Sequence, residues 1–271
     1  MTFILNQFRI FPPMPGQFEC AVFMPEYLEI LILFGVGVLS GVINVMAGGG
    51  SSLTLPALIF IGLDSAAANG TNRVGILVQG ILATLSFRHE KVSAIEKSLK
   101  LAAFTIPGAI IGALVAVNIS NDWFDRILGI VMIGIIITML IPQKKLSADA
   151  LVERNTWLVY PAMLAVGFYG GFIQVGVGFL IMAALYHLMR MNLVYVNMHK
   201  MFLTMVFTIP ALIIFIWTGN VDWVLGLTLA AGNGLGGWWA ARYSVKGGEK
   251  VIRRIMVVAI FIIALKLLGV F

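Results

Sequence analysis

The stretch GVLSGVINVMAGGGSSLTLPAL, residues 37–58, decides the fold: an apolar run is cut by three glycines, restarts at two serines and soon stops again. The second run, 51 to 62, reaches roughly 18 Å at helical rise, against a hydrocarbon core of about 30 Å. It is too short to span in the ordinary way. Either it thins the bilayer, or it folds back on the first run as a re-entrant hairpin. A weaker copy, GFIQVGVGF from Gly171, precedes another short run, 177 to 190. Short, glycine-interrupted segments at matching places in two halves point to the midplane site of a transporter.

The rest of the chain fits that setting. Of 271 residues 60% are apolar and 11% charged, with mean hydropathy +1.00, more apolar surface than one soluble core can hide. Apolar runs lie at 28 to 46, 51 to 62, 69 to 87, 98 to 118 and 123 to 141, then at 156 to 175, 177 to 190, 196 to 217, 222 to 241 and 250 to 270. Runs of this length predict helices and exclude an outer-membrane barrel, whose strands alternate over about ten residues. The expected fold is an all-α integral membrane protein of about ten helical segments, some short or re-entrant, in two inverted five-segment repeats. The expected divisions are an N-terminal arm (1–27), a first repeat (28–142), the polar linker QKKLSADALVERN (143–155) and a second repeat (156–271). The arm has too short an apolar stretch for a secretory signal and is expected to be retained. Cys20 is the single cysteine, so no internal disulfide, metal site or cofactor is expected.

The net charge of +6 reflects topology, not a nucleic-acid surface. With ten crossings, Arg88, Lys91, Lys97, Lys100, Lys144, Lys145, Arg154, Arg190, Arg242, Lys246, Lys250, Arg253 and Arg254 all fall on one side, against Arg9 and Arg126 on the other, a split of 13 to 2. The basic side is cytoplasmic by the positive-inside rule. The linker then lies inside and both termini outside, in a bacterial-type inner (plasma) membrane crossed many times. Five segments per half make the second half enter from the opposite side, hence inverted repeats.

Several residues carry candidate chemistry. Gly48, Gly49 and Gly50 let the backbone turn, and the helix restarting at Ser51 and Ser52 presents free N–H groups suited to an anion; the bland alternative is a tight packing turn. Gly176 and Gly178 repeat the pattern. Asn44 and Gln174 match across the halves as ligand contacts or interhelical hydrogen bonds. A second polar helix start, Asn69, Thr71, Asn72 and Arg73, has its counterpart in Asn197, His199 and Lys200. Arg73 and Lys200 lie about four residues inside their runs, where a cation either snorkels to the interface or lines a cavity. No Asp or Glu sits deep in a run, so a carboxylate relay for cations lacks its main part and the substrate is expected to be an anion. His199 and His187 are the candidate proton carriers, which makes the proton the candidate coupling ion. Gly108 and Gly112 in PGAIIG, matched by Gly232 and Gly236 in GNGLG, read as helix contact faces.

These motifs resemble the sulfite exporter TauE/SafE family: the opening GVLSGVINVMAGGGSSLTLPAL, the following AAANGTNRVG, the basic loop near residue 90 and the weaker second copy from Gly170. The resemblance covers nearly the whole chain from about residue 28. It implies a permease for a small sulfur-containing anion, such as a sulfonate, sulfite or sulfoacetate-like compound, working by alternating access. The second copy departs from the pattern, with Phe179 and Leu180 in place of glycine or serine and His199-Lys200 in place of Asn72-Arg73. Two other readings stand beside it. One is a ten-segment metabolite exporter of another inverted-repeat family. The other is an intramembrane serine protease, for which Ser51 lacks the glycine that completes a nucleophile turn; no enzyme activity is expected.

Overall fold

The computed structural model describes residues 26–140 and 156–267, and among them the regular structure is entirely helical. The linker expected at 143–155 and nearly all of the N-terminal arm lie outside these residues. The first half runs α1 (Glu26–Met46), α2 (Ser51–Phe60), α3 (Ser65–His89), α4 (Ile95–Asn118) and α5 (Asn121–Leu140). The second runs α6 (Val159–Phe172), α7 (Val177–Ala183) continued by a π turn (Ala184–Leu188), α8 (Leu193–Trp217) and α9 (Trp223–Leu267). Both halves therefore open with a helix, a break of four residues and a short helix, as the glycine-rich stretches predict.

The structure departs from ten separate segments at the end of the chain. The runs expected at 222 to 241 and 250 to 270 belong to one 45-residue helix, α9, which stays helical through the basic stretch between them. Glycine costs a helix only about 1 kcal/mol against alanine, so Gly247-Gly248 does not suffice to end it. Pro107 and Pro210 sit inside α4 and α8.

Local chemistry sets where α3 and α8 begin. Asp64 caps α3 by accepting from the Ala67 N–H at 2.8 Å, and Asn192 caps α8 by accepting from the Val194 and Tyr195 N–H groups at 3.1 Å. Such side chains replace the missing acceptors of a first helical turn.

The halves interlock. α1 and α3 pack on α9, while α6 packs on α4 and α8 packs on both α3 and α4. Two glycine seams make this possible. A Cβ on Gly108 would stand 2.2 Å from the Leu164 carbonyl oxygen and one on Gly112 2.0 Å from that of Phe168, and the reverse face, Gly167 and Gly171, meets the Thr105 and Ala109 carbonyls at 2.1 Å. The same arrangement joins Gly232 and Gly236 of α9 to the Phe34 and Val38 carbonyls of α1, at 2.4 and 2.1 Å. Both seams are the helix contact faces expected from sequence.

The outside is apolar and much of the inside polar. Leu31, Phe60, Ile111, Ile130 and Trp217 are exposed, whereas Asn69, Asn72, Arg73, Gln79, Asn197, Lys200 and Asn233 are buried. Among the described residues three helices, Tyr27–Met46, Ile95–Asn118 and Leu193–Trp217, are long and apolar enough to cross a membrane by length and composition. An apolar exterior around buried polar side chains is the distribution a lipid solvent selects.

Candidate functional site

The helix breaks are the natural place to look, because a broken helix leaves backbone groups unpaired in the interior. At the first break Gly48 adopts φ +93° and lies backbone to backbone with Gly178, so that a Cβ on Gly48 would come within 2.6 Å of the Gly178 carbonyl carbon. The two glycine stretches thus meet directly. At the second break Gln174, a non-glycine residue, holds φ +63° and Gly176 φ +71°. Left-handed backbone at a buried glutamine is a strained choice that its surroundings must hold in place.

Each break is held by a cation from the other half. Arg73 of α3 donates from Nη1 to the Gly170 carbonyl at 3.0 Å and from Nη2 to the Gly171 carbonyl at 2.6 Å, at the end of α6. Asn69 adds a bond to the Phe172 carbonyl at 2.8 Å, and the guanidinium lies 4.6 Å over the Phe215 ring. Lys200 of α8 donates from Nζ to the Asn44 and Val45 carbonyls, at 2.8 and 2.7 Å, at the end of α1, and to Asn197 Oδ1 at 2.9 Å. A cation is the preferred partner for the carbonyls and negative dipole end of a helix C-terminus. The two side chains are 0% and 1% exposed, which is incompatible with snorkelling to an interface.

The other candidates divide into two groups. Around the breaks, Asn44 donates to Gln79 Oε1 at 2.9 Å, Gln79 donates to the Gly41 carbonyl at 2.9 Å, and Gln174 donates to Thr208 Oγ1 at 2.7 Å. Asn72 accepts at Oδ1 from Thr54 Oγ1 of α2 at 2.7 Å. Gly50 backs on Ser40, and Ser51 is buried in the first turn of α2. Ser52 turns its hydroxyl back to the Gly49 carbonyl at 2.6 Å, so that proton is committed to the turn. Two residues face elsewhere: Thr71 accepts from the Asp222 N–H at 2.9 Å, ahead of α9, and His199 Nδ1 shares a 2.7 Å hydrogen bond with Ser98 Oγ on α4.

The unpaired buried atoms include four that can donate. Asn72 Nδ2, Arg73 Nε, Asn197 Nδ2 and Ser40 Oγ have no hydrogen-bond partner, although all four residues are fully buried. An orphaned buried polar group costs about 1–3 kcal/mol, so four around two adjoining helix breaks constitute a demand for acceptor atoms. Gln174 Oε1 and both amide atoms of Asn233 are also unpaired.

With this geometry in view, the chain can be placed among known proteins. The profile described as "Sulfite exporter TauE/SafE" matches residues 33–267. The chain belongs to the TauE/SafE family. Among its relatives, the probable membrane transporter protein YfcA of Escherichia coli strain K12 is 32% identical over 251 residues, covering 92% of this chain and 93% of that protein. The probable membrane transporter protein ORF9 of Sinorhizobium sp is 28% identical over 242 residues, 89% of this chain and 92% of its own. YunE of Bacillus subtilis, also described as a probable membrane transporter protein, is 24% identical over 267 residues. No solved structure matches. Membership makes the chain a multi-pass membrane transporter and not an enzyme, in the family its glycine-rich motifs resemble.

In this TauE/SafE chain several structural partners escape a reading of sequence. Gln79, Thr54, Thr208 and Asn233 each stand as a polar residue inside an apolar run, the one signal that marks them, since burial of an amide or hydroxyl in lipid surroundings demands a partner. Ser40 carries no signal beyond its small size next to Gly41.

Proposed function

We propose that this chain is a secondary transporter that carries a small sulfur-containing anion, a sulfonate, sulfite or sulfoacetate-like compound, across the cytoplasmic membrane by alternating access. The observation that carries the reading is the set of unpartnered buried donors at the breaks, Asn72 Nδ2, Arg73 Nε, Asn197 Nδ2 and Ser40 Oγ. A sulfonate or sulfite presents three oxygens, all acceptors, and answers that set where a cation or an apolar solute does not. The N–H groups of Gly49, Gly50 and Ser51, at the break and the first turn of α2, are further candidate donors. The printed name of the family adds sulfite as a chemical precedent.

The transport cycle follows from the interlock. The matching order of helices in the two halves supports a repeat, which we take as inverted, with the linker cytoplasmic and the Gly48–Gly178 contact near the midplane; the continuous α9 crosses once, so the external C-terminus expected from ten crossings loses its tenth crossing. Rocking one repeat against the other about that contact would expose the donors to each side in turn. Of the sequence candidates, Asn72, Arg73, Asn197, Gly49, Gly50 and Ser51 are the proposed anion contacts. Asn44, Asn69, Gln174, Gly48, Gly176, Gly178 and Lys200 shape the breaks that hold them. Protons are the proposed coupling ion, with His199, hydrogen-bonded to Ser98, as the titratable group.

The test is flux of labelled sulfite and of an alkyl sulfonate into proteoliposomes, with and without a pH gradient. Saturable anion flux that Asn72→Leu weakens supports the reading. Flux of neutral amino acids in place of the anions would overturn it.

A further inference from the structure

One buried amide has no part in holding the breaks or in packing the helices. Asn233 of α9 is 0% exposed, and neither its Oδ1 nor its Nδ2 has a hydrogen-bond partner. Its backbone does have a place in the seam with α1. A Cβ on Gly41 would stand 2.6 Å from the Asn233 carbonyl oxygen, just as one on Gly171 of α6 would meet the Ala109 carbonyl of α4. Asn233 and Ala109 thus hold matching positions, each one residue after the first glycine of its pair, and in the α4 seam a methyl group suffices. The amide is surplus to that contact. It turns to α3, where Gly75 leaves room: a Cβ there would come within 2.7 Å of Asn233 Nδ2. Gly75 lies three residues beyond Asn72, a rise of about 4.5 Å, and Ser40, next to Gly41, backs on Gly50 at the first break. Asn72 Nδ2 and Ser40 Oγ are unpartnered as well. Three helices, α1, α3 and α9, each bring an unpaired polar side chain to the flank of that break.

The two atoms of this amide make opposite demands. Nδ2 asks for an acceptor, which the oxygens of an ionised sulfonate or sulfite supply. Oδ1 asks for a donor, which those oxygens lack, and a buried carbonyl oxygen left facing them stays unmet. We infer that Asn233 is a specificity-determining residue that reads an O–H group carried by the anion beside its charged head. The O–H donates to Oδ1 while a neighbouring oxygen of the same solute accepts from Nδ2, so that a donor and an acceptor side by side meet the acceptor and donor of the amide. Hydroxyalkyl sulfonates and hydrogen oxyanions share that pattern. The inference rests on the reading of the breaks as an anion site and adds the neutral group that selects among anions.

Two probes of equal charge and similar size isolate the hydroxyl. Calorimetry on the purified full chain compares 2-hydroxyethanesulfonate with propane-1-sulfonate, in which a methyl group replaces the O–H. The hydroxylated anion is expected to bind at least about tenfold tighter, because a site built to hydrogen-bond a hydroxyl rejects the analogue that lacks it. Asn233→Ala gives α9 the residue that the α4 seam already carries at the matching position. In that variant the preference is expected to fall to about twofold or less, with propane-1-sulfonate binding within about threefold of its parent value. An amide that only supports the fold would weaken both probes alike and keep the preference, a result that overturns the assignment. Equal binding of the two probes by the parent protein, as expected of an amide that holds only a buried water, overturns the O–H reading and leaves the anion site standing. That comparison needs no variant to fold. Binding of neither probe overturns both readings.

Discussion

At the scale of the residue, Asn72 and Thr71 show how adjacent side chains in one motif take different work. Successive helical positions are turned by about 100°, so Asn72 faces α2 through Thr54 and keeps a free N–H, while Thr71 faces the start of α9 and accepts from Asp222. Replacing Asn72 by Leu removes a donor to a charged ligand, worth about 1.5–3 kcal/mol, and is expected to weaken anion binding by about 10- to 100-fold in calorimetry. Thr71→Val removes a neutral hydrogen bond, about 1 kcal/mol, and is expected to lower thermal stability while leaving anion affinity within about twofold. Comparable loss of affinity in both would place Thr71 in the site. The sequence makes both residues candidates because a polar helix start inside an apolar run is visible, but the direction of each side chain depends on neighbours 18 and 151 positions away. Arg73 is a sharper case: its depth is readable from its run, whereas its carbonyl partners lie 97 and 98 residues further on.

Elements were legible in kind and less so in register. Aligning GVINVMAGG with GFIQVGVGF pairs Asn44 with Gln174, an offset of 130. The structure pairs the helix ends Met46 and Phe172, and the helix starts Ser51 and Val177, both at an offset of 126. The backbone agrees, since the Gly48 N–H bonds to the Ile43 carbonyl as the Gln174 N–H bonds to that of Tyr169. A slip of four residues is close to one helical turn and keeps the same face forward, so composition alone does not detect it. The glycine seams were legible because small residues four apart mark backbone contact. Their depth gives a graded prediction. Gly112→Val and Gly236→Val drive side chains into carbonyls 2.0 and 2.1 Å from the first added atom, and each is expected to cost more than the roughly 1–3 kcal/mol of ordinary overpacking, seen as loss of folded protein in size-exclusion profiles. Gly35→Ala, in helix α1 with no neighbour within 4 Å of the added methyl, is expected to raise stability by a few tenths to about 1 kcal/mol. Equal tolerance at all three positions would mean that the seams are not close contacts in the bilayer.

For the whole molecule, hydropathy and charge make two halves visible, and they do not show that each half completes the other. The exchange of α1 against α9 and α6 against α4, with Arg73 closing the end of α6 and Lys200 the end of α1, joins residues as far apart as Phe34 and Gly232. This interlock binds the orientation of one half to that of the other, so sidedness can be tested at a few turns. In a Cys20→Ser background, single cysteines at His89, the last residue of α3, at Asp122, in the first turn of α5, and at Thr218, just after α8, are all on exposed positions. From the charge split of 13 to 2, position 89 is expected in the cytoplasm and positions 122 and 218 outside. In intact cells an impermeant maleimide is expected to label His89→Cys only after the membrane is opened, and Asp122→Cys and Thr218→Cys before. Positions 122 and 218 belong to different halves, so shared labelling from outside, with position 89 protected, is what an inverted pair requires when the first half has five segments. If 122 and 218 fall on opposite sides, the halves are not inverted, and the breaks at Gly48 and Gln174 cannot serve as two ends of one alternating path.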